Sequence, residues 1–216
     1  RNAYGIYNQN RQCNCCAHLL IFYHICSHTS PLSVGFSDYS STNGGSFSVG
    51  KYGEADDIKN NVLIWESSDG EISYDFNIPE TGIYCINMTY FPIVSKNSEI
   101  EFSIEIDGEA PFDTANRITL NKVWVNKQKI SEDSRKNQIK PVQVQSGMWI
   151  CSDFNDTDGL FNEPLIFYLE NGSHTITFKS EKANLAVESF KFYNPQKVKS
   201  YSEYASLLNS SVTVDN

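Results

Sequence analysis

Strict alternation of apolar and polar residues in two segments is the feature that most restricts the fold of this chain. In "EISYDFNI", residues 71–78, apolar side chains occupy every second position. In "EIEFSIEI", residues 99–106, isoleucine and phenylalanine alternate with glutamate and serine. Successive side chains of a β-strand point to opposite faces, so both segments are predicted to be strands with one buried face and one face in solvent.

Turn signals follow both segments. "PETG", residues 79–82, precedes a run at 83–90 that is rich in β-forming residues, and Asp107-Gly108 is typical of a hairpin turn. Later, apolar runs at 165–169 and 175–178 flank "ENGSH", which is predicted to be a turn built on Asn171-Gly172, and 185–193 is a last strand candidate. Short strands without helical crossovers indicate an all-β fold, an antiparallel β-sandwich.

Helical periodicity appears only near the end of the chain. In residues 200–208, Ser200 is a predicted N-cap and Glu203, three residues on, is its capping-box partner. Two long segments, 110–126 and 127–152, are less regular and are predicted to decorate one end of the sandwich. Loops held on a rigid sandwich are the usual place for a binding site, so these segments direct the search for one.

The charge balance disfavours nucleic acid as a partner. The 216 residues include 26 acidic and 17 basic residues, for a formal charge of −9, and we identified no Lys/Arg cluster that would overcome the repulsion of a phosphate backbone. This length is enough for one domain with a full core and flanking segments. We expect a monomer.

The segment "CNCCAHLLIFYHICSH", residues 13–28, concentrates cysteine and histidine around a short apolar run. These residue types can ligate zinc, but their spacing matches no standard zinc module. The apolar run at 17–26 is about half the length that a membrane-spanning helix needs. We therefore predict residues 1–33 to be a poorly ordered extension, or the remnant of an export signal.

Several later stretches resemble a known fold family. "ISYDFNIPETGIYCINMTYFP" and "IEIDGEAPF" look like the recurring hairpin and the later strand of the galactose-binding-like β-sandwich, the jelly roll common among carbohydrate-binding modules. "VWVNK", "IKPVQVQSGMW", "DGLFNEPLIFYLENGSHTITF" and "FKFYNPQKVKSYSEY" are similar to one particular group of these domains. That group is the N-terminal galactose-binding-like region of extracellular solute-binding proteins that serve bacterial carbohydrate ABC transporters, and the likeness covers residues 34–208.

The resemblance implies a non-catalytic carbohydrate-binding accessory module for sugar uptake. It places the protein outside the bacterial cell or on its surface, secreted or as a lipoprotein. Residues 34–195 are then the galactose-binding-like sandwich. Residues 196–216 are a linker, with a short helix, to a downstream domain that this sequence does not contain and through which a membrane ABC transporter would be contacted.

Two alternatives remain open. In the first, the chain is a structural or interaction sandwich without a sugar site. In the second, it is an accessory module of a glycoside hydrolase. We expect it not to be an enzyme, because we identified no catalytic motif, and His174 falls in a predicted turn without an identifiable partner.

Aromatic residues are the main candidates for sugar contact, because a flat ring stacks on the apolar face of a pyranose. Trp124 and Trp149 flank the irregular region and are the stronger candidates, followed by Trp65 and by Tyr90 at the end of a predicted strand. Each of these has an alternative role as a packed core or loop anchor. Asp158 and Glu163 are candidate hydroxyl acceptors.

An acidic loop and two cysteines complete the set of candidates. "SDFNDTDG" places Asp153, Asp156 and Asp158 before a glycine, which makes these aspartates candidate calcium ligands, although the loop does not fit an EF-hand. A solvated turn is the favoured interpretation, and no other cofactor is expected. Cys85 and Cys151 either pair or remain small buried side chains, and the sequence does not distinguish these states.

Overall fold

The strands of this chain form two antiparallel sheets and two short ribbons. The computed structural model describes residues 31–54, 57–96, 99–180, 182–195 and 200–211. The larger sheet contains β1 Leu32–Gly35, β3 Phe47–Tyr52, β4 Lys59–Trp65, β6 Gly82–Pro92, β13 Ile150–Asp153, β14 Ile166–Leu169 and β16 Leu185–Tyr193. The second sheet contains β2 Ser41–Asn43, β5 Gly70–Ile78, β7 Ile100–Ile106, β8 Ile118–Leu120 and β15 Gly172–Ser180. The ribbons pair β9 Val123–Asn126 with β12 Gln143–Ser146, and β10 Ser131–Glu132 with β11 Gln138–Ile139.

Strands β6 and β16 form the middle of the larger sheet. One edge of β6 pairs along its length with β16, and its other edge pairs first with β14 and then with β13. The far edge of β16 pairs with β4 and then with β1, and β3 lies outside β4. The second sheet runs in the order β2, β5, β15, β7, β8.

The core lies between the two sheets and contains the apolar sides of the alternating strands. Ile72, Tyr74 and Ile78 of β5 are fully buried, as are Ile100 and Ile104 of β7. Side chains at the intervening positions of β7 are only partly buried, as the period of two predicts. The expectation of an all-β antiparallel sandwich is confirmed.

Aromatic rings fill the centre of this core. The ring of Phe178 lies 5.4 Å from the rings of both Phe36 and Phe190, centroid to centroid, and 5.7 Å from that of Phe102. Edge-to-face and tilted packing of this kind adds to the free energy of burying the rings. The one hydroxyl in the group is satisfied, because Tyr74 donates to the carbonyl oxygen of Phe36 at 2.8 Å.

The predicted turn at "ENGSH" joins two strands that belong to different sheets. Strand β14 pairs with β6 of the larger sheet, whereas β15 pairs with β5 and β7 of the second sheet. The turn therefore connects the two sheets instead of closing a hairpin. Gly172 begins β15 with φ at +133°, and His174 lies inside that strand and not in a turn.

The C-terminal capping prediction is confirmed. Helix α1, Tyr201–Ser211, follows Ser200, whose backbone N–H donates to the Glu203 carboxylate at 2.7 Å. The Glu203 N–H in turn lies 3.4 Å from the Ser200 hydroxyl oxygen, which is the reciprocal arrangement of a capping box. Among the described residues, no helix has the length and apolar character to cross a membrane.

The start of the sandwich differs slightly from the predicted boundary. Strand β1 begins at Leu32 and pairs with β16, so the boundary between residues 33 and 34 falls inside a strand. The cysteine- and histidine-rich segment 13–28, with most of the predicted extension 1–33, lies outside the described residues. So do residues 196–199 and 212–216 of the predicted linker.

Candidate functional site

The irregular region between β8 and β13 forms an extended β-ribbon, residues 123–146, hereafter the ribbon. Neither of its two strand pairs joins a sheet through backbone strand pairing. Every residue from 124 to 140 is exposed. The ribbon therefore presents both backbone and side chains to solvent at one place on the sandwich, as expected of a recognition segment.

Cross-strand register places four functional side chains on one face of the ribbon. Trp124 lies opposite Gln145, and Asn126 lies opposite Gln143. Because side chains alternate along a strand, these four residues share a face, while Val125 and its cross-strand partner Val144 point to the other. We name this surface, composed of Trp124, Asn126, Gln143 and Gln145, the amide face.

Two hydrogen bonds attach the base of the ribbon to the core strand β6. The Tyr90 hydroxyl donates to the carbonyl oxygen of Asn121 at 2.9 Å, and the Gln145 amide donates to the carbonyl oxygen of Pro92 at 2.8 Å. Burial raises the pKa of Tyr90, so its phenol remains a donor throughout the physiological range. These bonds fix the amide face relative to the end of β6.

One acceptor on the amide face has no partner. The Oε1 atom of Gln145 is buried and accepts no hydrogen bond from the residues that the structure describes. Leaving such an atom unpaired costs roughly 1–3 kcal/mol. Trp124, which lies directly opposite, keeps 47% of its side chain exposed. A ligand that offers an apolar ring face would pack on the exposed Trp124, whereas Gln145 Oε1 is enclosed and out of its reach.

The amides also order one another along this face. Gln143 donates its side-chain N–H to the side-chain oxygen of Asn126, its cross-strand neighbour. This bond uses one donor of Gln143 and leaves its carbonyl oxygen and the Asn126 amide group available. Donors and acceptors therefore lie along the same face as the tryptophan ring.

Trp149 has a packing role on the outer surface of the larger sheet. Its ring lies 5.5 Å from that of Phe91 in edge-to-face geometry, and its indole N–H donates to the carbonyl oxygen of Asp57 at 2.9 Å. The Lys59 ammonium lies 4.9 Å from the ring centroid. With Phe91, the half-buried Trp149 covers a small apolar cluster outside the main core. These contacts favour the loop-anchor interpretation of Trp149.

The structure corrects two of the aromatic candidates. Trp65 is 2% exposed and belongs to the main core, with its indole N–H donating to the carbonyl oxygen of Asp69 at 2.9 Å. Tyr90 is fully buried. A ligand in solvent cannot reach either ring, so neither remains a candidate for stacking.

The acidic loop is a turn built around one aspartate. The Asp156 carboxylate accepts backbone N–H groups from Asp158, Leu160 and Phe161 at 3.2, 2.7 and 3.2 Å. Gly159, with φ at +68°, completes this turn, which confirms the favoured interpretation.

The calcium candidates do not converge on one point. Asp153 accepts a hydrogen bond from the Asn87 amide at 2.8 Å, and Asp158 lies 3.6 Å from the Arg117 guanidinium. No group of three potential metal-ligating side chains occurs in the part of the chain that the structure describes. The geometry of Asp153, Asp156 and Asp158 therefore does not support the alternative interpretation of these residues as calcium ligands. Asp158 and Glu163 are both exposed, in the loop between β13 and β14.

A polar depression of about 500 Å³ lies on the outer surface of the second sheet. Its lining includes Asn43, Glu71, Glu101, Ser103 and Lys179. The only aromatic residue in that lining is Phe102, whose ring belongs to the core. The depression therefore offers hydrogen bonds without a stacking surface.

Ion pairs occupy the charged groups of this depression. A hydrogen bond from Lys182, assisted by Arg117, holds the pKa of Glu101 below its usual range, against the opposing effect of burial. The Lys179 ammonium lies 2.8 Å from Glu105 and 3.6 Å from Glu71, and these carboxylates raise its pKa. Glu101 and Lys179 are therefore held in ion pairs, in agreement with a solvent-facing role for this surface.

His174 has partners that the sequence did not reveal. Its Nδ1 atom lies 2.7 Å from Asp107 Oδ2 and its Nε2 atom lies 2.8 Å from the carbonyl oxygen of Glu170. Burial lowers the pKa of His174, but the hydrogen bonds to Asp107 and Glu170 together raise it by more than burial lowers it. The net pKa therefore lies above the usual value. This pair belongs to the connection between the sheets and is separate from the amide face in sequence.

The amide residues of the ribbon were missed in the sequence analysis. The signal that identifies them is the i, i+2 spacing of "WVN" at 124–126 and "QVQ" at 143–145, which places a tryptophan and three amides on one face once the strands pair. Cys85 is buried and Cys151 is exposed, and they are not joined by a disulfide, so the pairing alternative is not supported.

Comparison with known proteins gives limited similarity. No family model matches the chain, and no curated protein matches it. Among solved structures, it is similar to a family 35 carbohydrate-binding module from Clostridium thermocellum, with 12% identity and a TM-score of 0.44 over 77% of this chain and 100% of that one. The C-terminal CBM6 of LamC from Zobellia galactanivorans gives 13% identity and a TM-score of 0.42 over 76% and 100%.

A third match is the module CBM6cm-2 of Cellvibrio mixtus lichenase 5A, solved with cellotriose. It shows 11% identity and a TM-score of 0.40, covering 76% of this chain and 98% of that one. Identity and TM-scores at this level do not bear on the ligand of the present chain. Its candidate site therefore depends on the geometry of the ribbon.

Proposed function

We propose that this protein is a non-catalytic glycan-binding module and that the amide face of the ribbon is its binding site. The observation that supports this proposal is the register of β9 and β12, which places the exposed Trp124 ring on one face with the exposed amides of Asn126 and Gln143. The proposed domain is residues 32–195, which includes the whole of β1, with the preceding residues as an extension and 196–216 as a linker.

The chemistry of the amide face matches the surface of a sugar. One side of a pyranose ring is lined by C–H groups, which pack on an aromatic ring, while its edge carries adjacent hydroxyls. Planar amides such as Asn126 and Gln143 can donate to one hydroxyl and accept from the next.

The biological setting belongs to the same proposal. The sequence resemblance to the N-terminal region of bacterial solute-binding proteins supports an extracellular or cell-surface accessory role in sugar uptake. In that setting the partners are a carbohydrate and, through a further domain, a membrane transporter. A module of a glycoside hydrolase would use the same face, so the site itself does not depend on this choice.

A glycan array followed by calorimetry on the full chain tests the site. Trp124→Ala should weaken binding at least about tenfold, because it removes the stacking surface, a loss of roughly 1.4 kcal/mol. Val125→Ala is the matched control, since Val125 neighbours Trp124, is 43% exposed and points to the opposite face. This variant should change the affinity less than about twofold. Absence of glycan binding by the unaltered chain at millimolar sugar, or equal losses in both variants, would contradict the proposal.

A further inference from the structure

Basic charge is concentrated on the ribbon of an otherwise acidic protein. Residues 123–146 contain five basic and two acidic residues, a net charge of +3, whereas the remaining chain carries −12. The five cations are Lys127, Lys129, Arg135, Lys136 and Lys140. This corrects our sequence-based statement that no Lys/Arg cluster is present.

The cations of the ribbon are exposed and have no anionic partner. None of the five lies within ion-pair distance of a carboxylate among the described residues, and all five are solvent-exposed. Elsewhere in the sandwich, by contrast, Lys59, Lys179 and Lys182 each contact at least one glutamate. The positive charge of the ribbon is therefore available to a partner, whereas much of the charge on the sheets is neutralised internally.

The tip of the ribbon has a defined conformation. The Asp133 carboxylate accepts the backbone N–H groups of Arg135 and Asn137, both at 2.8 Å, and the Asn137 side-chain amide at 3.0 Å. Lys136 adopts a positive φ of 64° in the same loop. Asp133 thus holds the loop that presents Arg135 and Lys136.

We propose that the ribbon binds a polysaccharide carrying carboxylate or sulfate groups, with its cations contacting the anionic groups while the amide face holds the sugar rings. This inference rests on the proposed glycan-binding function and specifies its ligand class. Alternation places Lys127, which follows Asn126, on the face opposite the amide face, so a single extended polysaccharide would contact both by crossing the edge of the ribbon. The exposed Trp124 ring and the amides of Asn126 and Gln143 match the apolar face and the hydroxyls of a sugar ring, which favours a polysaccharide over other polyanions.

The negative charge elsewhere on the protein does not prevent this binding. Each side of the ribbon spans about ten residues, roughly 30 Å if fully extended. The Debye length at physiological ionic strength is only about 8 Å. The cations near the tip are therefore largely screened from charges on the sheets, whereas a polyanion lying across the sheets would be repelled.

Paired triple variants test the charge contribution. Lys127→Gln, Lys129→Gln and Lys136→Gln together remove three charges from the ribbon. Lys51→Gln, Lys96→Gln and Lys191→Gln remove three charges elsewhere, from residues that form no ion pair among the described residues. Affinities for polygalacturonate and dextran sulfate are measured against neutral dextran and galactomannan, with polyglutamate and a single-stranded DNA oligonucleotide as other polyanions. Melting temperatures confirm that each variant is folded.

The ribbon triple variant should bind the anionic polysaccharides at least about tenfold more weakly, and its salt dependence should fall by about two to three counterions. The control triple variant should lose less than about twofold. Equal effects of the two variants, or equal binding of neutral and anionic glycans, would overturn the inference and leave the proposed function intact.

Other outcomes locate the error differently. If the unaltered protein binds neither neutral nor anionic glycans, the proposed function is overturned together with the inference. Equal affinity for polyglutamate or DNA overturns the assignment to a polysaccharide. Salt-sensitive self-association that the ribbon variant abolishes, with no glycan binding, assigns the ribbon to a second copy of this chain and also overturns the proposal.

Discussion

His174 lies 2.7 Å from Asp107 through Nδ1, while its Nε2 atom lies 2.8 Å from the carbonyl oxygen of Glu170. Both imidazole nitrogens therefore face acceptors, and only the protonated ring donates to both at once. The side chain is 11% exposed, so water competes weakly for these bonds. The arrangement joins the turn after β7 to the connection that enters β15.

This geometry predicts a pH dependence of stability. Because the pKa of His174 is raised in the folded state, its stabilising effect is fully present below the ordinary pKa of about 6.5 and is lost as pH rises through the higher folded value. The melting temperature should therefore fall between about pH 6 and pH 8 by more in the unaltered protein than in His174→Gln. An NMR titration, with the resonance assigned by its absence in that variant, should give a midpoint above about 6.5. A midpoint below that value would contradict the ion pair.

Truncation of Trp149 should destabilise the protein much more than truncation of Trp124. Trp149→Ala removes packing on Phe91, the contact with Lys59 and the bond to the Asp57 carbonyl, so the free energy of unfolding should drop by about 2 kcal/mol. Trp124→Ala removes an exposed ring and should change the free energy of unfolding by less than about 0.5 kcal/mol. Urea unfolding measures both. Similar losses in the two variants would show that the ribbon packs more tightly than described.

Gly70 should tolerate alanine poorly. Its φ is +122°, and an added Cβ would lie 2.9 Å from the Gly45 Cα atom and 3.0 Å from Cζ of Phe47. Gly70→Ala combines backbone strain with this overlap and should cost at least about 2–3 kcal/mol. Gly108→Ala is the control, since φ is also positive at +82° but no atom lies within 4 Å of the added group, and it should cost about 1 kcal/mol. Equal melting temperatures for the two variants would exclude the steric contribution.

Cys85 and Cys151 should differ in reactivity. Cys151 is exposed, whereas Cys85 is 1% exposed in the larger sheet. Alkylation followed by peptide mapping should modify Cys151 at least about 100-fold faster, because Cys85 reacts only when the sheet opens. Denaturant should abolish the difference. Isolation of a peptide in which a disulfide links Cys85 to Cys151 would contradict the structure, where these two residues are not joined.

Sequence patterns predicted the sheets best where one side of a strand is buried. Alternation in β5 and β7 identified both the strands and their buried faces, because a period of two leaves few alternatives. The β14–β15 connection was predicted less well. An Asn-Gly turn signal is local, and it does not specify that β14 pairs with β6 while β15 pairs with β5.

The site was harder to predict for a related reason. Trp65 ends "VLIW" in β4, where Leu63 and Trp65 face the core while Val62 and Ile64 face the outer cluster. Both faces of that strand are apolar, so no alternation revealed which way the ring points. In the ribbon, the pairing partner of Trp124 lies 21 positions further along the chain, and only that pairing brings the amides beside the ring.

Pairing of the first and last strands of the larger sheet has an architectural consequence. Leu32 of β1 lies opposite Phe192 of β16, so the polypeptide enters and leaves the sandwich at neighbouring positions of one sheet. Domains with adjacent entry and exit points can be inserted into a surface loop of a host protein without separating the host's two halves. The sandwich is therefore suited to grafting, and a fluorescent protein or enzyme carrying residues 31–195 in such a loop would display the ribbon as an added recognition element.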